Sequence, residues 1–593
     1  MSIAELKRVY LCGVTREKED VLSALQELGC LHLVPLREAG PLQAPDAVER
    51  RRAYAAYTHL SNARHQLRPW PGGKGFDLQG VITGALANKE RLRIARDRGD
   101  FLRHRIAELE PFGDFKLPPE DALRGRKLWF YIVPIKERSA LEALEWPWAM
   151  VGRDNTRLFV AVIARDEPPA DLLPVPRTHT GARQLSKLRD DLIEAEIEIE
   201  NAETEQIKLT RQRLPLGLHL ARAEDADDLR MAARMTLDDD RIFGLMGWAP
   251  VSSLDSIMEL AHDRALAVAF ESPGPDEEPP TLLDDPGRFE GASALTTFYM
   301  TPSYTSWDPS LVVFFSFSVF FAMIVADAGY SALMAGILAL YWGRLSASAA
   351  GVRLRNILAV VIGVSVLFGV FAGSYFSFSP DPDSLLGRIA FIDVTDIDTM
   401  MVVSIVIGVL HISLANAIVA IRHWGTAIAV VKLGWIAVTF GGLMVWLAAP
   451  PAGYYMLAGG LAVVFLGSGM ERRIGSLKDW GLRLLDGASG LTGVTKLFGD
   501  ILSYMRLFAL GLSSASLGGT FNVLAGQIAE GLPGLGVLVA VVVLLFGHTV
   551  NLALGIMSGV VHGLRLNVIE FFGWGLTEEG YPFKAFARRE VER

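Results

Sequence analysis

Leu311-Val-Val-Phe-Phe-Ser-Phe-Ser-Val-Phe-Phe-Ala-Met-Ile-Val-Ala-Asp-Ala-Gly-Tyr-Ser-Ala-Leu-Met-Ala-Gly-Ile-Leu-Ala-Leu-Tyr-Trp342 is an apolar run interrupted by one charged residue, Asp327. As a single helix its roughly 32 residues would reach about 48 Å, against a hydrocarbon core of ~30 Å. The run is therefore predicted to break at Asp327-Ala-Gly-Tyr330 into two segments. Further apolar runs at Asn356–Phe378, Met400–Ile421, Val431–Ala448, Tyr454–Met470, Leu491–Gln527 and Leu535–Trp574 bring the total to eight. Loop charge tests this count, because cytoplasmic loops are enriched in Lys and Arg. With a cytosolic N-terminus and eight segments, Arg344, Arg353, Arg355, Arg422, Lys432, Arg472, Arg473, Lys478 and Arg483 all fall inside, and the outer loops hold essentially Arg388 alone. Without the break at Asp327, every later loop would invert. The last two runs exceed the bilayer and must tilt, kink or extend beyond it.

Working outward, the chain of 593 residues is 51% hydrophobic, but its two parts differ. Residues 1–300 are charged and ordinary, as expected of a cytosolic domain; residues 301–593 are dominated by the apolar runs. The start, Met1 to Tyr10, lacks the apolar core of a signal peptide. Cys12 and Cys30 have no metal-ligand spacing and fit a reducing compartment. A net charge of −9 argues against nucleic acid. No nucleotide-binding glycine loop is present, and Gly72-Gly-Lys-Gly75 reads only as a loop, so the chain is not expected to hydrolyse nucleotide itself. No cofactor or metal is expected.

In the first part, Val9–Gly13 and Leu31–Val34 read as strands around an amphipathic helix from Asp20 to Gly29. Leu128–Val133 and Arg157–Ile163 flank a helix from Glu137 to Leu144, which suggests a second α/β lobe. Two long helices carry apolar seams at Leu92, Ala95, Gly99, Leu102, Ile106, Leu109 and at Leu185, Leu188, Leu192, Ala195, Ile199, Ala202, Leu209. The first is arginine-rich and the second acidic, which favours pairing as an antiparallel coiled coil between the two lobes. Pro273 to Pro286, acidic and proline-rich, reads as a linker.

Arg506 and Arg565 lie within apolar helices. A permanent cation at bilayer depth costs ~2.5–3.5 kcal/mol on insertion scales, so such residues usually face protein or water and serve a transported ion. His548, Asn551, Ser558, His562 and Arg565 step along the final helix on one side; Ser503, Arg506 and Ser513 share a side of the preceding one, with Asp500 before them and Glu570 beyond. Such a stripe either lines a hydrated path or hydrogen-bonds between packed helices. A structural arginine would have a carboxylate close by, and the helix of Arg506 supplies only Asp500. Glu570 either pairs with Arg565 or sits at the mouth of a water path. Asp327 reads as part of the helix break and His411 as an interhelical histidine.

The segments Ser503-Tyr-Met-Arg-Leu-Phe-Ala-Leu-Gly-Leu512, Gly547-His-Thr-Val-Asn-Leu-Ala-Leu-Gly555, Gly563-Leu-Arg-Leu-Asn-Val-Ile-Glu-Phe-Phe572, Asp327-Ala-Gly-Tyr330 and Gly244-Leu-Met-Gly-Trp-Ala-Pro250 resemble the membrane stator subunit of V/A-type rotary ATPases, subunit a or subunit I. The resemblance covers the whole chain in order. It implies that Arg506 faces a rotor c-ring of proteolipid subunits, each with one ionisable carboxylate, between two aqueous half-channels. It also implies that Arg565 stands near the same contact and that the soluble domain binds peripheral stalks of the ATPase catalytic complex. Some members carry acidic residues where this chain has Thr492 and Gly493, and eukaryotic ones a glutamate at Gly555, so Asp500, His548, His562 and Glu570 are the substitute half-channel candidates.

The whole is expected to be a multi-pass α-helical protein in lipid, with both termini cytoplasmic, in a prokaryotic cell membrane. It would conduct H⁺ or Na⁺. A secondary transporter, which would show internal repeats, and a membrane-anchored scaffold are the alternatives.

Overall fold

The computed structural model describes residues 2–589 except 38–46, 71–75, 115–122, 167, 170–172, 179–183, 285–290, 347, 395, 449, 471, 473–474, 532–533 and 577. Gly72 to Gly75, Arg473 and the end of the Pro273–Pro286 segment thus lie outside the described residues. Two compact units are present: residues 1–37 with 235–586, and residues 38–234 with 587–593.

In the first unit, Leu6–Val14 leads through a short 3-10 turn into the helix Lys18–Leu28, which buries Val21, Leu22 and Leu25 and stops at Gly29, where φ is 65°. His32–Val34 follows. The pattern recurs far along the chain, as Ile242–Pro250, the helix Leu254–Asp263 and Ala267–Glu271. The four strands form one antiparallel sheet in the order Ala267–Glu271, Leu6–Val14, Ile242–Pro250, His32–Val34. This is a βαββαβ lobe split by an insertion. Reading the N-terminus alone finds half of it, because the strand that joins its first two lies more than 200 residues away.

The segment read as a linker is tied down where it is described. Leu283–Asp284 pairs with Ser2–Ile3, and Thr281 exchanges backbone hydrogen bonds with Tyr581 and Phe583. The chain beyond the last helix returns to the sheet: Phe586 N–H donates to Leu31 O, and Lys584 N–H donates to His32 Nδ1 at 2.9 Å, with Tyr581 and Phe583 against the imidazole.

In the second unit, Lys127–Pro134, Arg157–Ala164, Trp148–Arg153 and Arg177–Thr178 form a four-stranded antiparallel sheet with a short helix, Arg138–Glu142. Trp148–Arg153 was not expected; it is an edge strand, exposed along most of its length and bulged. The helices Leu78–Leu109 and Leu185–Leu209 lie side by side with Leu102, Leu109, Leu185, Leu188 and Ala195 in one buried cluster. Arg96–Glu203 at 2.7 Å, Arg98–Glu194 at 2.9 Å, Arg103–Glu196 at 3.1 Å and Glu110–Arg189 at 2.7 Å show that they run antiparallel. These exposed pairs contribute only ~0.2–1 kcal/mol each, so the buried seam supplies the stability and the charges choose orientation.

The helices of the apolar part are α1 Ser310–Val325, α2 Ala328–Leu345, α3 Ala349–Phe371, α4 Ile397–Arg422, α5 Ala427–Ala448, α6 Pro451–Ser468, α7 Leu477–Leu491, α8 Gly493–Ser503, α9 Met505–Gly531 and α10 Gly536–Arg565. Six helical stretches among the described residues are long and apolar enough to cross a membrane, with α7 to α9 forming one of 54 residues; α1, at 16 residues, is shorter. The break at Asp327 is present: Ala326 turns left-handed (φ 47°) and Asp327 caps α2 through Tyr330 N–H. Residues 374–378, read as the end of a span, instead form a loop on that carboxylate, which accepts from Ser374 Oγ, Phe376 N and Ser377 N at 2.6, 3.0 and 2.7 Å. α5 and α6 pack backbone to backbone, since a Cβ on Gly460 would come within 2.8 Å of Val438 N.

Two outcomes follow from these contacts. Asp327→Ala removes a cap and leaves three further donors unpaired, an expected loss of about 2–4 kcal/mol that a lower thermal midpoint in detergent would register. His32 must be neutral at Nδ1 to accept from Lys584, and burial, then the Lys584 ammonium, holds its pKa below the ordinary histidine value. Because the folded-state pKa lies below the unfolded one, this contact contributes fully above about pH 6.5 and weakens as pH falls through that value. Hydrogen exchange in residues 581–586 should rise between pH 7.5 and 5.5, and His32→Asn should remove that dependence.

Candidate functional site

Arg506 stands in the first turn of α9, just after the fully buried Tyr504 that separates α8 from α9. The Tyr504 ring occupies the space left by Gly408 of α4, where a Cβ would lie 2.8 Å from it. Its hydroxyl bonds to His411 Nδ1 at 2.8 Å, and that imidazole stacks on Phe571 at 4.2 Å and 8°. His411 is thus an interhelical histidine. Together these rings fix the backbone on which Arg506 is mounted.

After Arg565 the helix of α10 widens into a π turn over Leu566–Phe571, then closes as Phe572–Gly575. Ser316 Oγ bonds to Asn567 Oδ1, whose amide donates back to Gly563 O at 3.0 Å, so side chains accompany the irregular turn. On a regular helix Glu570 would lie about 140° around from Arg565. The π turn buries Glu570 to 2% exposure and leaves Arg565 exposed, without an ion-pair partner among the described residues. Arg506 Nη2 donates to Glu570 Oε1 at 3.3 Å. Glu570 therefore pairs with Arg506 rather than Arg565.

The pair is incomplete. Among the described residues, Arg506 Nη1 and Glu570 Oε2 are buried without hydrogen-bond partners, as is the nearby His562 Nδ1. A guanidinium carries five donors, and a structural ion pair would normally be bidentate. Ser503 Oγ donates to Gly499 O at 3.0 Å and lies within reach of the Glu570 carboxylate. Asp500 is not part of the pair, because its Oδ2 accepts from Trp574 Nε1 at 2.7 Å.

His548 and Asn551 belong to a separate, saturated network. Asn551 Nδ2 donates to Tyr330 Oη at 3.0 Å and to Ser514 O at 2.8 Å; Ser514 Oγ donates to its Oδ1 at 3.2 Å. Tyr330 Oη is 2.7 Å from His548 Nδ1, and His548 Nε2 is 2.9 Å from Asn522 Oδ1. Because Asn551 donates to it, the Tyr330 hydroxyl directs its proton to His548 Nδ1, leaving His548 Nε2–H for Asn522. The stripe read along α10 is thus divided: its first two members bond between helices, while His562 lies near Arg506 and Arg565. Ser513 is exposed and Ser558 half-buried. Tyr504, Asn522, Ser514 and Trp574 carried no signal in the sequence, since each acts through a partner on another element.

An integral membrane protein of many helices, with an unsaturated arginine–glutamate pair in its apolar core, is the class these features define. No family model matches the chain. It is 29% identical over 423 residues to the V-type ATP synthase subunit I of Chlamydia trachomatis serovar D, which covers 59% of this chain and 62% of that protein's length. With the V-type ATP synthase subunit I of Chlamydia pneumoniae it shares 26% identity over 96% of this chain and 95% of that one. The cytoplasmic N-terminal domain of a V-ATPase subunit I is matched at 18% identity with a TM-score of 0.24, over 45% of this chain and 100% of that one. The chain is thus similar, over nearly its whole length, to proteins named subunit I of V/A-type ATP synthases.

Tyr330→Phe should cost about 1–3 kcal/mol, because it leaves one N–H of the Asn551 amide and one His548 nitrogen unpaired in the protein interior. A matching drop in the detergent unfolding midpoint is the check.

Proposed function

We propose that the chain is the ion-conducting stator subunit of a V/A-type rotary ATPase, working through Arg506 against carboxylates on a rotor ring. The observation that carries this reading is the unsaturated state of Arg506: among the described residues it makes one 3.3 Å ion-pair contact, to Glu570, with Nη1 unpartnered and the side chain 27% exposed. A guanidinium with donors to spare is ready for a second carboxylate.

A protonated rotor carboxyl is neutral and passes through lipid. Beside Arg506 its ionised form is favoured, since an opposite charge within ~4–6 Å lowers a carboxyl pKa by ~1–3 units. The proton leaves into one half-channel, where Glu570 and His562 are the acceptors closest to the exchange, and a new proton enters from the other once the carboxylate moves on. The fixed charge of Arg506 opposes direct passage of a proton between the two paths. Arg565, exposed and without an ion-pair partner among the described residues, adds positive potential along the rotor's approach. Ser503, Ser513 and Ser558 line the same faces, whereas Asp500, His548 and Asn551 hold the surrounding helices in place.

Residues 301–593 form the translocation domain in this reading, with α1 and α2 completing eight segments. Residues 1–300 lie in the cytosol with both termini and bind the peripheral stalks, the antiparallel helix pair acting as an arm that resists torque. The stretch Gly536–Gly575 spans 40 residues, about 60 Å against a ~30 Å core, so it crosses steeply and offers a long lateral face to a rotor. The home of the complex is a prokaryotic cell membrane.

Arg506→Ala should abolish ATP-driven pumping in liposomes while the complex still assembles. Arg506→Lys should restore little, because an ammonium cannot offer the planar fork that holds two carboxylates. Retained coupled transport in the alanine variant refutes the assignment.

A further inference from the structure

A helix ends with carbonyls that have no intrahelical partner. At the end of the last helix three successive carbonyls each receive a side-chain donor, and the three come from different elements. Gly573 O accepts from Lys496 Nζ of α8 at 3.0 Å, Trp574 O from Lys432 Nζ of α5 at 2.8 Å, and Gly575 O from Trp307 Nε1, ahead of α1, at 2.9 Å. Trp574 itself is fixed on every side. Its indole donates to Asp500 at 2.7 Å, Trp435 meets it edge-on at 5.3 Å, and the two ammonium groups sit 5.3 and 5.7 Å from its ring centroid.

We infer that Lys432, Lys496 and Trp307 are positioning residues for the Arg506–Glu570 pair, forming a clamp on the helix end that holds the π turn in the orientation that presents Glu570 to Arg506. The inference rests on the reading of that pair as the ion-exchange site. The geometry supports it in three ways. Glu570 lies one turn before Trp574, so a shift of the helix end is passed directly to its carboxylate. The π turn over Leu566–Phe571 replaces the i→i+4 bonds of an α-helix with wider i→i+5 bonds, so contacts at its end help to set its geometry. Cations at a helix C-terminus and over an indole face both gain from the local field, so the clamp persists where water would have supplied only exchangeable partners. Lys496 and Asp500 share one face of α8, four residues apart: Lys496 holds the Gly573 carbonyl and sits over the Trp574 ring, and Asp500 accepts from the indole nitrogen. The apolar α5–α6 hairpin supplies the rigid support for Lys432.

The test uses the complete ATPase in liposomes and compares wild type, Lys432→Met with Lys496→Met, and Lys432→Arg with Lys496→Arg. With both ammonium donors lost, protons moved per ATP hydrolysed should fall about tenfold while hydrolysis and assembly persist, and the pH profile of transport should change. The arginine pair, which still donates to the carbonyls, should recover most of the coupling. Backbone hydrogen exchange across Leu566–Leu576 should quicken in the methionine pair and not in the arginine pair. A methionine pair with wild-type coupling and pH profile overturns the inference, as does unchanged exchange across the π turn. Should the double variant fail to assemble, the exposed Lys496→Met alone is read by the same two measurements with the same criteria. Arg506→Ala, measured in parallel, separates the two readings. Pumping by that variant removes the exchange-site assignment, while the exchange data still report whether the clamp holds the helix end.

Discussion

In lipid no water is at hand to pair a backbone group that a broken helix leaves open, and each such group costs several kcal/mol. The architecture of the apolar half is largely a set of answers to that constraint. Where α1 stops, the Asp327 carboxylate takes up four donors from α2 and the loop after α3. Where the last helix widens, Asn567 and Ser316 supply side-chain bonds. Where it stops, two lysines and a tryptophan meet its carbonyls. Each repair joins elements that are distant in sequence, so the interruptions that permit function also knit the bundle together.

Against that background Arg506 and Glu570 are charged groups of the apolar half that each keep a buried atom unpaired among the described residues. Elsewhere in the core the polar side chains of α9 and α10 are closed into a network, as around Tyr330, His548 and Asn551. A buried ion pair recovers its desolvation cost only when the remaining donors and acceptors are also met. Here one nitrogen and one oxygen are not. Stability alone does not account for such a pair; the proposed exchange with a second carboxylate would, because a saturated arginine would have to break a bond before each exchange.

Much of this was legible in the sequence where one stretch of chain carried the whole signal. The break at Asp327 followed from length and loop charge, and the seams of the long helices from apolar spacing together with opposite charge. What escaped was set by partners elsewhere. Ile242–Pro250 completes a sheet begun more than 200 residues earlier. Glu570 reaches an arginine 64 residues away. The π turn has the composition of ordinary helix, and regular periodicity across it points Glu570 the wrong way. His548 and Asn551 share a helical face with Arg565, but periodicity reports direction and not what stands opposite, so it could not distinguish a hydrated path from the hydroxyl of Tyr330.

The same reasoning explains why the arginine and its glutamate are mounted so differently. Arg506 rides on a helix whose base is fixed by buried aromatic packing, with Tyr504 seated against Gly408 and bonded to His411. Glu570 rides on a π turn that joins the same aromatic cluster through Phe571, stacked on His411, and whose end is held one turn later by polar contacts. Aromatic packing in a close-packed interior yields little to displacement, so Phe571 fixes the middle of the turn, and the polar contacts at its end set how the helix leaves it. The separation of the two charges is therefore governed by aromatic packing on both sides and, on the glutamate's side alone, by the polar clamp on the helix end as well.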